Sequence, residues 1–393
     1  MFELLLVPAA ALVLAMHGDK LKKKQDDKEK IKVFFEVAGI AIKRDDKLQY
    51  PTWEETKRDD RSTTYVYKLP LGMPSKVIQK VEEIVGEGLG KPVKITYDNY
   101  LLRIRVFSRH IPERWNWTPE LVEPGKWRVP MGQGLDQLYW HDFDKIPHLT
   151  AGGLTRMGKT VFLKVLTTTI IESQPEHAHF FVIDLKGGLE FGRYRHLKQV
   201  KGIAETPEEA FLTLQYIVGL MIEKMELMKA QHLSNVVESN MPGRIFVIVD
   251  EGAELCPGKG MPAKKKKMLE GCQEMLSHIA RIGGALGVRL VFCTQYPTGD
   301  TLPRQVKQNA DAKLGFRLPT QVASQVVLDE PGLEQLPTLP GRALFKTDHI
   351  VELQVPYISD QQMWDILKKH EVKPSEPVKA AENRTADEDF DLD

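Results

Sequence analysis

Residues 153–160 read GLTRMGKT, which satisfies G-x-x-x-x-G-K-T, and they join a strand-like lead-in over 148–153 to a segment of helical character over 159–171. No other feature narrows the fold as far. Glycines at this spacing let backbone amides turn inward around phosphate oxygens, and the helix that follows offers its positive N-terminus. Gly153, Leu154, Thr155, Arg156, Met157, Gly158, Lys159 and Thr160 are therefore the expected ATP-binding residues. Lys159 is expected to reach the β- and γ-phosphates, and Thr160 to hold Mg²⁺.

Residues 180–184, 245–250 and 289–294 are short apolar runs that each end at a polar group, and long helical patterns over 207–231 and 265–282 lie between them. Strands alternating with helices predict a largely parallel sheet covered on both faces, with active groups at the carboxyl ends of its strands. The run IFVIVDE places Asp250 at such an end, where a carboxylate can stand beside Mg²⁺. Glu251 follows and can orient or deprotonate an attacking water. The run LVFCTQ ends in Thr294 and Gln295, and the neutral amide of Gln295 can sense a γ-phosphate without adding negative charge. Two adjacent acids also fit a solvated strand end; the order of loop, carboxylates and polar strand end favours catalysis. Charge developing on a transferred phosphoryl group calls for a further cation, for which Arg281, Arg289, Arg317 and Arg342 are candidates.

The 54 basic and 54 acidic residues cancel, which leaves the partner open, because phosphate contacts depend on where the charges cluster. One cluster, Lys264, Lys265, Lys266 and Lys267, reads as a solvated loop, or as a run that faces DNA or a neighbouring subunit. Cys256, Cys272 and Cys293 lack the spacing of a zinc or disulfide site and read as small buried hydrophobes in a reducing compartment. Residues 2–16 are apolar but fall short of the roughly 20 that span a bilayer. With Lys20, Lys22, Lys23 and Lys24 behind them they read as a membrane segment that keeps the rest at the cytoplasmic face, or as a terminal helix packed on protein. Residues 54–62, EETKRDDRS, read as a solvated loop. A strand over 64–69, a Ser-capped helix over 75–85 and two strands over 93–98 and 101–108 then predict a small α/β adaptor.

The runs IPHLTAGGLTRMGKT, FFVIDLKGGLEFGRY, IFVIVDEGAEL, IARIGGALGVRLVFCTQYP and VKQNADAKLGFRLPTQVASQVVLDEPGLEQLPTLPGRALF resemble, in order, the FtsK/SpoIIIE family of DNA translocases. The resemblance covers about half the chain, residues 145–350. It implies a RecA-like ATPase that assembles into a ring, usually a hexamer, and moves along double-stranded DNA. Carried across by motif, Lys159 and Thr160 become phosphate and Mg²⁺ groups, Asp250 and Glu251 the acidic pair, and Gln295 the sensor. Asp184, Lys186 and Gly187 match a D-x-K-G element that links the nucleotide site to subunit motion. Arg317 matches the F-R segment and is implied as an intersubunit or sensor arginine.

Departures from the family pattern fall at Tyr296 and Gly284, where relatives carry basic residues, and at Gln325, where an arginine is missing. The C-terminal domain that reads DNA polarity has no counterpart after residue 350. These losses argue against a chromosome-segregation motor guided by recognition sequences, and the short N-terminal apolar element and small adaptor make the chain similar to coupling proteins of Gram-positive conjugative elements, which bring relaxase-bound DNA to a membrane transfer channel. A phage or mobile-element DNA pump and a protein-secretion ATPase are the alternatives. The expected fold class is α/β: a RecA-like P-loop ATPase domain over 140–372 with a small N-terminal α/β adaptor and connector over 61–139. Residues 1–18 form the possible membrane segment, 19–60 a charged linker or extension, and 373–393 an acidic flexible tail.

Overall fold

Ile31, Phe34 and Phe35 repeat at the spacing of one helix face, and that face is buried in the computed structural model, which describes residues 26–372 except 45, 74, 189, 296 and 300, with backbone alone for 75–80. Residues 2–16, expected as a membrane segment or terminal helix, and the acidic tail lie outside the described residues. The described residues form two units, one up to residue 111 together with 135–137, the other residues 112–134 together with those from 138 on.

In the first unit the order is α1 (Asp27–Val37), β1 (Ile42–Arg44), β2 (Lys47–Gln49), β3 (Thr52–Arg58), β4 (Ser62–Lys68), α2 (Ser75–Leu89), β5 (Val93–Asp98) and β6 (Leu101–Phe107). Strands β3, β4, β6 and β5 make an antiparallel sheet in that order. Tyr65, Tyr67, Leu102, Ile104 and Val106 alternate onto the face that receives Ile31, Phe34 and Phe35 of α1 and Val81 and Val85 of α2. Residues 54–58, expected in a solvated loop, lie instead in strand β3. This strand pairs on one side with β4 and its side chains are almost all exposed, so a polar sequence suffices there.

The second unit continues with β7 (Arg128–Gly134), β8 (Leu138–Asp142), β9 (Leu149–Gly152), α3 (Lys159–Ser173), β10 (Ala178–Ile183), β11 (Val200–Ala204), α4 (Pro207–Ala230), β12 (Arg244–Val249), α5 (Ala263–Ile282), β13 (Val288–Thr294), α6 (Arg304–Asn309), β14 (Ala312–Phe316), α7 (Gln321–Leu328), β15 (Arg342–Lys346), β16 (Ile350–Gln354) and α8 (Asp360–Leu367). These strands form one mixed sheet in the order β11-β10-β12-β13-β9-β14-β15-β16-β7-β8. From β11 to β14 all neighbours are parallel; from β14 to β8 all are antiparallel. The unit takes in residues 112–134 because β7 pairs with β16 as well as β8.

Strand alternation builds two cores. Phe180, Val182, Phe246 and Ile248 point to the face covered by Phe162, Leu166 and Ile170 of α3 and Leu367 of α8. Phe181, Ile183, Val247 and Val249 point to the face covered by Leu214 and Ile217 of α4 and Leu269, Leu276 and Ile279 of α5. Each fully buried side chain of this kind contributes about 1.5–3 kcal/mol. The run Thr167, Thr168 and Thr169 is wholly buried in α3. There the Thr167 hydroxyl donates back to the Leu163 carbonyl, and Thr169 Oγ1 accepts from Trp117 Nε1 at 3.0 Å, so two of the three hydroxyls are satisfied without breaking the helix.

Candidate nucleotide site

Strand β9 lies between β13 and β14, and the loop that leaves it is tied to both neighbours. Gly153 N donates to Thr294 O at 3.3 Å, Leu154 N donates to Arg317 O at 3.1 Å, and Thr155 Oγ1 donates to Gln295 Oε1 at 2.9 Å. Farther along, Met157 O accepts from Gly341 N at 2.8 Å. Glycine is required by space: a Cβ on Gly152 would meet Val327 at 2.4 Å, and one on Gly153 would meet Phe316 at 2.6 Å. Gly158 has φ +121, outside the range of ordinary L-residues, and Arg156 turns the chain at φ +67. Lys159 and Thr160 then open α3, with Lys159 buried and Thr160 half-buried.

Three adjacent parallel strands end around Lys159. At the end of β12, Asp250 is fully buried and Glu251 nearly so. Glu251 Oε2 lies 3.5 Å from Lys159 Nζ, and Glu251 Oε1 accepts from Thr294 Oγ1 at 3.1 Å. The Gln295 amide donates to both carboxylate oxygens at 3.1 Å, so the end of β13 holds Glu251 in one orientation. At the end of β10, Asp184 accepts the amides of Lys186 and Phe191, each at 3.3 Å, and turns the chain back toward the site. Lys186 Nζ thereby reaches Asp250 Oδ2 at 2.6 Å. Partial burial alone would pull its ammonium down, but the hydrogen bond and charge of Asp250, helped by Glu251 and Asp184, hold it above the usual lysine value. Beneath this cluster burial pushes the Cys293 thiol up, so it remains a protonated, inert apolar group.

The structure thus brings together the 153–160 loop, Asp250, Glu251, Thr294 and Gln295. Sequence reasoning assigned Lys186 to subunit motion and did not see its ion pair with Asp250, which depends on β10 and β12 being neighbours. Arg317 does not join the cluster: its guanidinium donates to the Leu336 carbonyl. Two other arginine candidates are internal. Arg289 stands at the start of β13, away from Thr294 at its end, and binds Asp144 at 2.7 Å. Arg342 is fixed by Glu352 at 2.8 Å and Gln354 at 3.2 Å. The departure at Gly284 has a steric cause, since a Cβ there would meet Pro147 at 2.7 Å. Tyr296 lies outside the described residues.

Residues 116–241 match the FtsK/SpoIIIE family. Among similar proteins, DNA translocase FtsK of Chlorobaculum tepidum is 29% identical over 252 residues, 59% of this chain and 30% of that protein. DNA translocase FtsK of Lactococcus lactis subsp. cremoris is 26% identical over 272 residues, 63% of this chain and 34% of that one. The chain therefore spans about a third of the length of these FtsK/SpoIIIE relatives. Two solved structures share its fold. The pCW3 conjugation coupling protein TcpA, in a monomer form with ATPγS, superposes with a TM-score of 0.63 at 23% identity, covering 88% of this chain and 99% of that one. The cytoplasmic domain of the Thermomonospora curvata type VII secretion ATPase EccC gives 0.54 at 22% identity, covering 67% and 33%.

Proposed function

We propose that the chain is a RecA-like, Mg²⁺-dependent P-loop ATPase that drives DNA translocation, as the coupling protein that delivers relaxase-bound DNA to a conjugative transfer channel. The observation that carries the ATPase reading is the convergence of Lys159, Asp250, Glu251 and Gln295 at the carboxyl ends of adjacent parallel strands, around a loop in which Gly153 has no room for a side chain and Gly158 takes a positive φ. The match of residues 116–241 to the FtsK/SpoIIIE family supports DNA as the polymer. The likeness to TcpA along nearly the whole of both chains favours coupling over the shorter overlap with EccC.

Residues present fit a bound Mg²⁺-nucleotide. Asp250 Oδ1 is buried without a hydrogen-bond partner, an acceptor left open on a carboxylate whose other oxygen meets the Lys186 ammonium, with the Glu251 carboxylate next in the chain. Thr160 and Asp250 would hold Mg²⁺, which when bound supplies positive charge to the phosphate oxygens. Lys159 leads the helix whose first turn faces the loop, so its ammonium exchanges Glu251 for phosphate. Glu251, aligned by Thr294 and Gln295, orients a water for attack, and Gln295 ties that carboxylate to Thr155 of the loop. Arg317 is proposed as an intersubunit or sensor arginine in a hexameric ring, which requires it to leave the Leu336 carbonyl.

The test is ATP hydrolysis by the purified chain with double-stranded DNA, single-stranded DNA or neither, beside Glu251→Gln. DNA stimulation lost in the variant is the expected result. Turnover indifferent to both DNAs would sink the translocase reading and move weight to the secretion class.

A further inference from the structure

The carboxylate assigned above to Mg²⁺ is already engaged by a monovalent cation. Lys186 Nζ lies 2.6 Å from Asp250 Oδ2 and 4.0 Å from Glu251 Oε2, while Asp250 Oδ1 has no partner. Two carboxylates side by side at a buried strand end repel one another, and Lys159 and Lys186 supply the two charges that balance them. The two ammoniums differ in setting. Lys159 is fixed in the first turn of α3 with its side chain 4% exposed, whereas that of Lys186 is 32% exposed and stands on a loop.

The loop backbone is itself constrained. Its Lys186 amide donates to Asp184 Oδ1, and Gly187 and Gly188 follow at φ +78 and +70. A Cβ on Gly188 would collide with the Glu205 carboxylate at 1.9 Å. A fixed backbone carrying a compact charge on a four-carbon stem lets the ammonium change partners by rotamer alone.

We propose that Lys186 is a positioning residue that couples metal binding to nucleotide binding: it neutralises Asp250 and Glu251 first, then yields Asp250 to the divalent cation as its ammonium transfers to the nucleotide's phosphates. The proposal rests on the nucleotide-site reading above. Its consequence is that a divalent cation alone competes with Lys186, while a cation arriving with phosphates does not, since the displaced ammonium then has an anionic partner. Mg²⁺ and nucleotide each strengthen the other through one side chain.

The measurement is Mn²⁺ binding to the full chain, followed by electron paramagnetic resonance, with and without ATPγS. Nucleotide-free Mn²⁺ affinity is expected to rise about tenfold in Lys186→Met, and the tightening caused by ATPγS to shrink by a similar factor, within the roughly 5–150-fold range of such couplings. Lys186→Gln provides a second neutral variant if the first is unstable. Variants that remain folded with wild-type Mn²⁺ affinity, or with altered affinity but unchanged coupling to ATPγS, would overturn the proposal; a lowered melting temperature alone would assign Lys186 a structural role. Asp250→Asn separates the two readings: if it binds Mn²⁺ with ATPγS as the wild type does, the site assignment itself fails, and the coupling with it.

Discussion

The backbone amide of Gln295 donates to both carboxylate oxygens of Glu251, at 3.1 Å each, so the strand end that follows the buried Cys293 fixes the orientation of an acid on the neighbouring strand. An orienting group held this way loses little geometry when its charge is removed. Glu251→Gln is expected to lower ATP turnover about 10²–10⁴-fold, the range for a positioned acid–base group, while ATPγS binding persists. Lys159→Ala is expected to abolish turnover and weaken ATPγS binding as well. Steady-state hydrolysis and equilibrium binding on both variants separate the two roles; unchanged turnover in Lys159→Ala would mean the loop is misassigned.

Gly153 and Gly219 offer substitutions of opposite sign. A methyl on Gly153 would stand 2.6 Å from Phe316 Cβ, in a loop bonded to both flanking strands, and overpacking of this kind costs about 1–3 kcal/mol. Gly219 lies inside α4 with nothing within 4 Å of an added Cβ. Gly219→Ala should therefore stabilise by about 0.5–1 kcal/mol. Urea unfolding of the two variants checks the pair, and a neutral Gly153→Ala would show that the loop can shift.

Asp144 is the counter-ion of two buried arginines. It accepts from Arg244 Nε at 2.8 Å and from Arg289 Nη2 at 2.7 Å, and those side chains are 4% and 1% exposed. Asp144→Ala strands two guanidinium groups at the amino ends of β12 and β13, opposite the nucleotide site. The expected loss is about 3–5 kcal/mol of unfolding free energy, the scale for breaking a buried pair. If stability falls by less than about 1 kcal/mol, water reaches the arginines and the cluster is not structural.

His141 and His148 make stability depend on acid. Both are buried, and burial together with the charge of Arg289 pulls each from the usual 6.5 down to about 3. The unfolded chain therefore binds protons between about pH 6.5 and 3 that the folded chain refuses. Stability is retained above about pH 6.5 and falls as the pH drops toward 3, by up to about 1.4 kcal/mol per unit for each histidine. The depressed Asp144 carboxyl, held down by its two arginines against the effect of burial, adds to the loss in acid. Denaturant melts at pH 7, 6 and 5 read the slope, and a flat response over that interval would contradict neutral buried imidazoles.

The parts of this fold that were legible in sequence are those where chemistry punctuates an apolar run. Strands β10, β12 and β13 announced themselves because each ends at Asp184, Asp250 or Thr294, and the loop at 153–160 carries its own spacing. Strand β3 was not legible, because an edge strand exposed on nearly every residue has no alternation to display. The antiparallel half of the large sheet was equally hidden: β7 includes Gly132, whose place against Leu353 has no room for a Cβ, and such a residue reads as a breaker. At the site, types and order were visible and partners were not. The assignment of Lys186 to Asp250, or of Asp144 to two arginines a hundred or more residues away, depends on which strands lie side by side.

Lys264, Lys265, Lys266 and Lys267, expected in a loop, follow Ala263 at the start of α5, where the helix dipole disfavours cations. All four are exposed, and Lys266 has an ion partner in Glu270 at 3.8 Å. Four like charges at the wrong end of a helix cost the folded chain stability, and an anionic polymer would recover it. Replacing all four by serine should raise the unfolding midpoint slightly and weaken binding to double-stranded DNA. The decisive readout is the dependence of binding on salt. Each lost phosphate contact should make the slope of log K against log salt shallower by about 0.9. A change of about two or more would identify the run as a DNA contact of the proposed translocase. An unchanged slope beside a raised midpoint would identify it as a solvated helix start and shift the search for the DNA contacts to other loops.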